Sequence, residues 1–325
     1  MNTPRTLVLE PGPHLHAATT TASIMWWVNA SLAPAAAWGV FVFGPAALAV
    51  IAAAVAGAVA SEWLACRALH RRPTIRDGSA LCTGLLLALT LPPLTPWWMA
   101  ALGAAFGVLV AKMLFGGLGM NLFNPALAGR AFMMASFPLA MTSAWAAPRA
   151  GLTARLDAVT TATPLAVLKE QGLAAAMKVV AGDPWPRLVL GFRPGSIGEV
   201  SVVLIALGAA VLLARRIIGL AIPLSVLAGT ALATIGSGAP GLHLLGGGLW
   251  LGAFYMATDY VTSPSTRGGQ IVFGLGIGLL TGLIRLFGGY PEGICYAILI
   301  GNAMVPALNL WFRPRRVAAL AGSPS

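Results

Sequence analysis

One polar stretch of the sequence has the residue types and the spacing to hold a phosphorylated group. It reads Asp157-Ala158-Val159-Thr160-Thr161-Ala162-Thr163-Pro164-Leu165. Pro164 disfavours a helical backbone at Thr163, and the residues from Leu165 to about Val180 carry an apolar stripe at helical spacing. Thr163 therefore suits a helix N-cap and Pro164 the first helical position. Free backbone N–H groups and the helix dipole favour a phosphate at this end, although capping alone also explains a threonine here.

Ionisable residues inside or at the ends of apolar segments form a second set of candidates, because charge is costly in a membrane and marks functional positions. Arg130, six residues after Asn124, is a candidate for an electron path, and the alternative is pairing with carbonyls at a helix end. Lys112 is a candidate too, or it extends its amine from a helix end toward water. Arg285 is expected at a helix end or a subunit contact, and Glu62 is expected to face a partner subunit.

Asp259 stands with Thr258 and Thr262 beside a proline-containing loop. A carboxylate among loop carbonyls can bind Na⁺ or relay protons, and the alternative is a helix-end carboxylate that faces Arg267 or water. The three cysteines lie far apart and form no CxxC pair or Cys/His cluster. We therefore expect no metal and no iron–sulfur cluster in this chain.

The amino-acid composition indicates that these candidate residues belong to a membrane protein. Of the 325 residues, 58% are hydrophobic and only 9% are charged. A spanning helix needs about 20 mostly apolar residues, so the chain has enough apolar sequence for roughly ten spans. The net charge of +11 is typical of basic loops on the cytoplasmic side, and we expect no nucleic-acid partner. Apolar segments occur near 24–43, 46–66, 79–92, 96–116, 125–141, 199–214, 217–236, 243–258, 270–287 and 292–311.

Basic residues give these segments a consistent orientation. Clusters of arginine follow segments two, six, eight and ten, while the short connections 92–96, 237–242 and 288–291 have no Lys or Arg. The positive-inside rule then places both termini in the cytoplasm and the long interval 142–198, with Thr163, outside. The N-terminal sequence predicts no cleaved signal peptide, so the first span is expected to direct insertion.

An internal repeat supports the same topology. Leu114-Phe115-Gly116-Gly117 recurs as Leu286-Phe287-Gly288-Gly289, and the same offset of 172 residues pairs Thr90 with Thr262 and Gly129 with Gly301. Five spans separate the copies, so the two halves have opposite orientations in the membrane. The sequence thus predicts an all-α polytopic membrane protein of about ten transmembrane helices, a five-plus-five inverted repeat with a periplasmic insertion. Its predicted parts are 1–141, 142–198, 199–316 and a cytoplasmic tail, 317–325.

The stretch before Pro164 resembles the flavinylation motif of the Rnf and sodium-pumping NADH:quinone oxidoreductase families, Asp-x-x-Ser/Thr-x-Ala-Thr. The resemblance implies that Thr163 carries FMN through a phosphoester formed by an extracytoplasmic flavin transferase. Asp157, Thr160, Thr161 and Ala162 would be recognition residues. Thr161 stands where the motif often has glycine.

The resemblance to the Rnf D subunit covers nearly the whole chain, from about residue 11 to 316. It includes the runs 77–93, 115–130, 195–199, 257–259 and 287–293. It implies a bacterial inner-membrane subunit that passes electrons between flavins and couples ferredoxin and NAD⁺ chemistry to Na⁺ or H⁺ movement. The implied partners are cluster-bearing membrane subunits, a periplasmic flavoprotein subunit and membrane lipid. It also implies a noncovalent riboflavin, whose ligands are not assigned and which we expect near Asn121 to Asn124 and the broken helices. Asn124 and Arg130 are candidate cofactor-binding residues.

Two other interpretations stay open. The B subunit of the sodium-pumping quinone reductase is a close relative, although it typically has an extended N-terminal region. An inverted five-plus-five repeat also suits a channel or transporter for a small polar solute. Covalent flavin distinguishes the redox class from the transporter class. No independent catalytic acid, base or nucleophile is expected in the isolated chain, because the flavin supplies the chemistry.

Overall fold

A computed structural model describes residues 19–71, 73–148, 162–180, 184–199 and 201–313, and the regular elements in these ranges are helices. The first half contains α1 (Thr21–Phe43), α2 (Pro45–Ala68), α3 (Ser79–Thr90), α4 (Trp97–Val108), α5 (Pro125–Ser136) and α6 (Pro138–Ser143). A 3₁₀ turn, Ile75–Asp77, precedes α3, and α4 continues into a π-helical turn, Leu109–Met113. Gly44, with φ 78°, separates α1 from α2 because it adopts a backbone conformation that other residues avoid.

Three short helices lie between the two halves: α7 (Pro164–Gln171), α8 (Leu173–Val180) and α9 (Pro184–Leu190). The second half contains α10 (Val202–Ala214), α11 (Ala221–Thr234), α12 (Pro240–Leu245), α13 (Leu249–Leu251), α14 (Arg267–Phe287) and α15 (Ile294–Trp311). A 3₁₀ turn, Ile235–Ser237, extends α11, and a π-helical turn, Gly252–Met256, extends α13.

Helix length and composition make the chain a multi-pass membrane protein. Within the described residues, α1, α2, α14 and α15 are long and apolar enough to cross a membrane. The shorter apolar helices are α3, α4 with its π-helical turn, α10 and α11 with its 3₁₀ turn. Helix occurs in each of the ten predicted segments. The count of ten spans stays a prediction, because several of these helices are shorter than a bilayer is thick.

Two predicted segments are broken in the structure. The segment 125–141 divides into α5 and α6 at Phe137, which has a nonhelical backbone (φ −133°) because it precedes Pro138. The segment 243–258 divides at Gly246, Gly247 and Gly248, the last two with positive φ. Broken helices are typical of transporter-like membrane folds, where short segments line a site.

Close helix packing depends on small residues. Helix α2 packs against α4, and α11 packs against α14. At Gly57 the backbone of Ala101 leaves no room for a Cβ, and at Gly229 the backbone of Leu275 and Gly278 does the same. Helices α1 and α10 contact each other, as do α5 and α15, so one apolar core extends through both halves. A smaller apolar cluster joins α7 and α8 to α12.

Candidate functional site

Thr163 lies at the start of α7, as the sequence predicts. Its backbone is extended (φ −70°, ψ 151°), Pro164 is the first helical residue, and the Thr163 Oγ1 accepts a hydrogen bond from the Ala166 N–H at 3.3 Å. The side chain is 5% exposed. Ala162 is exposed at the surface. Asp157, Thr160 and Thr161 lie outside the described residues, so their proposed recognition role stays a prediction.

The helix predicted from Leu165 to about Val180 is two helices in the structure. Gly172 has φ 84°, and this left-handed backbone ends α7 and starts α8 in a new direction. The two helices pack on each other, with Val167 of α7 and Ala176 of α8 in one buried cluster. The result is a compact helical hairpin with Thr163 at its first cap.

Helix α7 is held against the loops of the second half at two places. The Leu165 side chain contacts the Gly246–Gly247 backbone, where a Cβ on Gly247 would lie 2.7 Å from Leu165 Cδ1. On the exposed side, Lys169 Nζ donates to the Gly288 carbonyl, just after α14 ends. These contacts fix the position of the helix that begins with Thr163.

Arg285, at the end of α14, holds this loop region together. Its guanidinium donates to the carbonyls of Glu292 at 2.9 Å, Gly246 at 3.0 Å and Gly247 at 3.2 Å, and also to the carbonyl of His243. The side chain is 2% exposed. The expectation of a helix end is confirmed, because Arg285 lies in the last turn of α14.

Arg130 lies in the same region and forms an ion pair with Glu292. It does not line the cavity described below, whereas Asn124 does. The structure therefore places these two predicted site residues apart. Asn124 caps the N-terminal end of α5, and Arg130 lies in the middle of that helix. Any cofactor role of Arg130 belongs to the loop region around Arg285 and Glu292 and not to the cavity.

This region contains a second buried ion pair, which the sequence analysis did not predict. Arg193 NH2 lies 3.5 Å from Glu199 Oε1 and donates to the Leu245 carbonyl at 2.8 Å. Glu199 also accepts from the Gly247 N–H and from the Ser196 hydroxyl. Burial lowers the pKa of the Arg193 guanidinium below its ordinary value, and the charge of Glu199 opposes this shift. The 195–199 run entered the sequence analysis only as part of the resemblance, and the partner of its carboxylate is set by tertiary structure.

A separate cavity lies between the two halves of the fold. Its volume, measured as the space open to a water-sized molecule, is about 80 Å³, and the cavity is partly open to the surface. Most of the wall is apolar, and the polar side chains that reach it include Asn121, Asn124 and Asp259. A concave apolar site with a few polar groups is the usual form of a small-molecule or cofactor site.

Asn124 connects the cavity wall to both halves. Its Oδ1 caps α5 by accepting from the Ala126 N–H at 3.0 Å, and its Nδ2 donates to the Met256 carbonyl at 3.3 Å. With the Asn302 amide oriented to satisfy its neighbours, Asn302 accepts from the Asn124 N–H at 3.1 Å and donates to the Thr262 carbonyl at 3.0 Å. Asn124 thus has a structural role at the cavity in addition to any contact with a ligand.

Asp259 faces the cavity and its own loop. Its carboxylate accepts from the Thr262 hydroxyl at 3.3 Å and from the Val261 N–H at 3.4 Å. The alternative was a helix-end carboxylate that faces Arg267 or water; the ion pairs of the described residues do not include Asp259 and Arg267, so the Arg267 part is wrong and the water part stays a prediction. Within the described part of the chain, no group of three His, Cys, Asp or Glu side chains is placed to hold a metal ion.

Lys112 and Glu62 pair with each other at the wall of this cavity. Lys112 Nζ lies 2.5 Å from Glu62 Oε2 and donates to Ser79 Oγ at 2.6 Å. The Glu62 side chain is fully buried within the chain. The expectations that Lys112 reaches water and that Glu62 faces a partner subunit are therefore wrong. Two buried charges in a low-dielectric interior persist only when they compensate each other.

Comparison with known proteins identifies the family of this chain. The model of the NQR2, RnfD, RnfE family matches residues 8–318. The D subunit of the proton-translocating ferredoxin:NAD(+) oxidoreductase complex of Clostridium ljungdahlii is 44% identical over 316 residues, covering 94% of each chain. The D subunit of the Na(+)-translocating ferredoxin:NAD(+) oxidoreductase complex of Acetobacterium woodii is 42% identical over 95% of this chain and 94% of that protein. The D subunit of the ion-translocating oxidoreductase complex of Stutzerimonas stutzeri is 41% identical over 90% of each.

These matches confirm the resemblance to the Rnf D subunit that the motifs indicated. The matched range contains α1, the cavity, the short helices α7 to α9 and α15, so both candidate regions lie inside it. The chain is accordingly a multi-pass membrane protein that belongs to the NQR2, RnfD, RnfE family.

Proposed function

We propose that this chain is the D-type membrane subunit of an Rnf electron transport complex and that it carries FMN covalently on Thr163. The observation that carries the proposal is that Thr163 is the N-cap of α7. This helix is held against the loops of the second half of the chain. Electron transfer through this subunit would couple ferredoxin and NAD⁺ chemistry to Na⁺ or H⁺ movement. The relatives named above include both a proton-translocating and a Na⁺-translocating complex, so they do not distinguish the coupling ion.

Thr163 fits a phosphoester linkage to FMN. The oxygen lies at a helix N-terminus, where backbone N–H groups and the helix dipole stabilise a phosphate. An esterified oxygen keeps a lone pair, so it can still accept the hydrogen bond from the Ala166 N–H. When bound, FMN supplies the redox chemistry, and the chain binds and orients it. Leu165 and Lys169 hold α7 against loops of the second half. These contacts would keep the attachment point at a fixed distance from the transmembrane helices.

The lining of the cavity suits a second flavin that is bound without a covalent bond. Its mostly apolar wall with a few polar groups matches a riboflavin ring system. Asn121 and Asn124 could exchange hydrogen bonds with ring heteroatoms, and Asp259 could bind ribityl hydroxyls. This chain would then hold one flavin at the outer helices and one between its halves.

The arrangement of the helices supports an inverted five-plus-five repeat. The 172-residue offset superposes the ranges of α2 on α11, α4 on α14 and α5 on α15. The pairing of α2 with α4 corresponds to that of α11 with α14, and Gly57 corresponds to Gly229, each packed on the backbone of the partner helix. The direct contacts α1–α10 and α5–α15 join equivalent helices, as expected for helices that lie beside a two-fold axis.

The same proposal implies an orientation of the chain in the membrane and a set of partner subunits. Both termini would be in the cytoplasm of a bacterial inner-membrane protein, and Thr163 would be periplasmic, where a flavin transferase acts. Other Rnf subunits would supply the iron–sulfur clusters, and a periplasmic flavoprotein subunit would approach α7 to α9. The relatives named as D subunits favour this assembly over the B subunit of a quinone reductase, and their oxidoreductase names favour it over a solute channel.

The deciding experiment is mass spectrometry of the peptide that contains Thr163, taken from protein made in a host with the flavin transferase. We expect the mass of a phosphoester-linked FMN on Thr163 and none on the peptide that contains Thr142, an exposed threonine of α6. A wild-type chain without any covalent flavin from such a host would refute the proposal.

A further inference from the structure

The outer loop region contains a group of buried charges that do not balance. Its members are Arg130, Arg193, Glu199, Arg285 and Glu292, and we refer to them as the outer charge cluster. The three arginines are at most 5% exposed, Glu199 is 6% exposed, and the Glu292 side chain is 14% exposed. With His243 neutral, three cations face two anions, which leaves one positive charge in excess. A buried charge without a counterion is strongly disfavoured.

The ion pairs show where the excess lies. Arg130 pairs with Glu292 and Arg193 pairs with Glu199, so each carboxylate has one arginine. None of the ion pairs among the described residues includes Arg285. Its guanidinium donates hydrogen bonds to carbonyls only, and its charge interacts with Glu199 and Glu292 without direct contact. Among the cations of the cluster, Arg285 is therefore the one without a carboxylate in direct contact, within the described residues.

Three polar atoms in and beside the cluster also lack hydrogen-bond partners among the described residues. They are Arg193 Nε, Glu292 Oε1 and His243 Nδ1. His243 belongs to the same group because its carbonyl accepts from Arg285. Buried polar atoms normally have partners, and unsatisfied ones mark positions where a water or ligand belongs. With a net positive charge, this site favours an anion and disfavours the passage of Na⁺.

Arg285 lies close to the start of α7. Its NH2 atom and the Cδ1 atom of Leu165 both lie within 3 Å of the point where a Gly247 Cβ would be. Thr163 precedes Leu165 by two residues. Lys169 of α7 binds the carbonyl of Gly288, three residues after Arg285. The Arg285 guanidinium therefore lies beside the Leu165 side chain, in the first turn of the helix that Thr163 caps.

We infer that the outer charge cluster is completed by one negative charge, the phosphodiester that links FMN to Thr163. A phosphodiester carries one negative charge, which equals the excess of the cluster. Arg285 then acts as a positioning residue that stabilises the modified helix start and raises the reduction potential of the attached flavin. This inference rests on the proposed flavinylation of Thr163. It adds that Arg285 of α14 positions the attached flavin and sets its reduction potential.

The test measures the midpoint potential of the covalent FMN in the purified complex by spectroelectrochemistry. Removing a positive charge near a flavin disfavours its reduction, and removing a negative charge favours it. We expect Arg285→Gln to lower the potential and Glu292→Gln to raise it relative to wild type. Arg285→Lys keeps the charge, and its potential should stay near the wild-type value. Arg267→Gln is the matched control, because this exposed arginine lies at the opposite end of α14.

Opposite shifts in Arg285→Gln and Glu292→Gln, together with a near-wild-type potential in Arg285→Lys, follow the sign of the removed charge, and a purely structural role does not predict this pattern. Equal potentials in wild type, Arg285→Gln and Glu292→Gln, with covalent flavin present in all three, would overturn the inference and leave Thr163 flavinylation intact. Absence of covalent flavin from wild type would overturn both. If Arg285→Gln does not assemble, the comparison of Glu292→Gln and Arg285→Lys with wild type still decides the sign.

Discussion

Lys112 and Glu62 form a buried ion pair that joins the π-helical turn after α4 to α2, with Nζ and Oε2 2.5 Å apart. Around it, Ser79 Oγ accepts from Lys112 and donates to Asp77 Oδ1, and the Thr74 hydroxyl donates to Glu62 Oε1. The pair therefore belongs to a hydrogen-bonded chain that runs from the loop before α3 to the cavity wall.

Removal of one partner of this pair should strongly destabilise the protein. Lys112→Met leaves the Glu62 carboxylate buried without a counterion, at a cost of about 3–5 kcal/mol, and Glu62→Gln does the same to the lysine. The double variant should lose less than the two single variants together, because it leaves no uncompensated charge. Thermal unfolding in detergent measures this, with Lys178→Gln, an exposed lysine of α8, as the control. Additive losses would show that the pair is not coupled.

Thr163→Ala should abolish covalent FMN and leave membrane insertion intact. Only the hydroxyl can form the phosphoester, and loss of an N-cap costs about 0.5–2 kcal/mol, which a large packed chain can absorb. Thr163→Ser keeps a hydroxyl, so any loss of labelling in it reports the selectivity of the transferase. Thr160→Ala and Thr161→Ala should reduce labelling less, because they affect recognition and not the bond. In-gel flavin fluorescence measures all four, and persistence of a covalent flavin in Thr163→Ala would show that another residue is the acceptor.

Changing the cavity should affect the noncovalent flavin alone. Asn121 is 5% exposed and lines the cavity, so Asn121→Ala should lower the amount of riboflavin that acid releases per mole of protein. Covalent FMN on the outer helices should be unchanged in the same preparation. Asn309→Ala is the control, because Asn309 binds Ser265 away from the cavity. Equal riboflavin in wild type and Asn121→Ala would argue against this role of the cavity residue.

The topology can be tested with reporter fusions. The arginine-rich loops predict that a fusion after Arg313, at the end of α15, reports the cytoplasm. A fusion after Leu190, at the end of α9, should report the opposite side. Reporters on the same side would contradict both the ten-span count and the inverted repeat.

Features set by neighbouring residues could be predicted from the sequence. The cap at Thr163 follows from the Thr-Pro pair and the apolar stripe after it, and the helix ranges follow from apolar periodicity. The division between α7 and α8 also has a local signal, because it depends on the positive φ of Gly172. Likewise, Pro138 marks the break between α5 and α6.

Features set by tertiary structure could not be predicted. Glu62 and Lys112 are 50 residues apart, and Arg130 and Glu292 are 162 apart. Each of these charges, taken alone in the sequence, is compatible with water, a partner subunit or a helix end. Only tertiary packing shows that Glu62, Glu199 and Glu292 each pair with one cation. It also shows that Arg285 does not have a carboxylate among the described ion pairs.

The two π-helical turns make the cavity wall sensitive to single-residue deletions. In each, a backbone N–H bonds to the carbonyl five residues earlier: Leu114 to Leu109 at 3.0 Å and Ala257 to Gly252 at 2.8 Å. A π-helical turn holds one residue more than an α-helical register allows. Deleting that residue would restore α-helical bonding and rotate one flank of the helix relative to the other by about 100°. Lys112 would then turn away from Glu62, and Tyr255 away from the cavity, so the length of these turns is constrained even where their side chains are not.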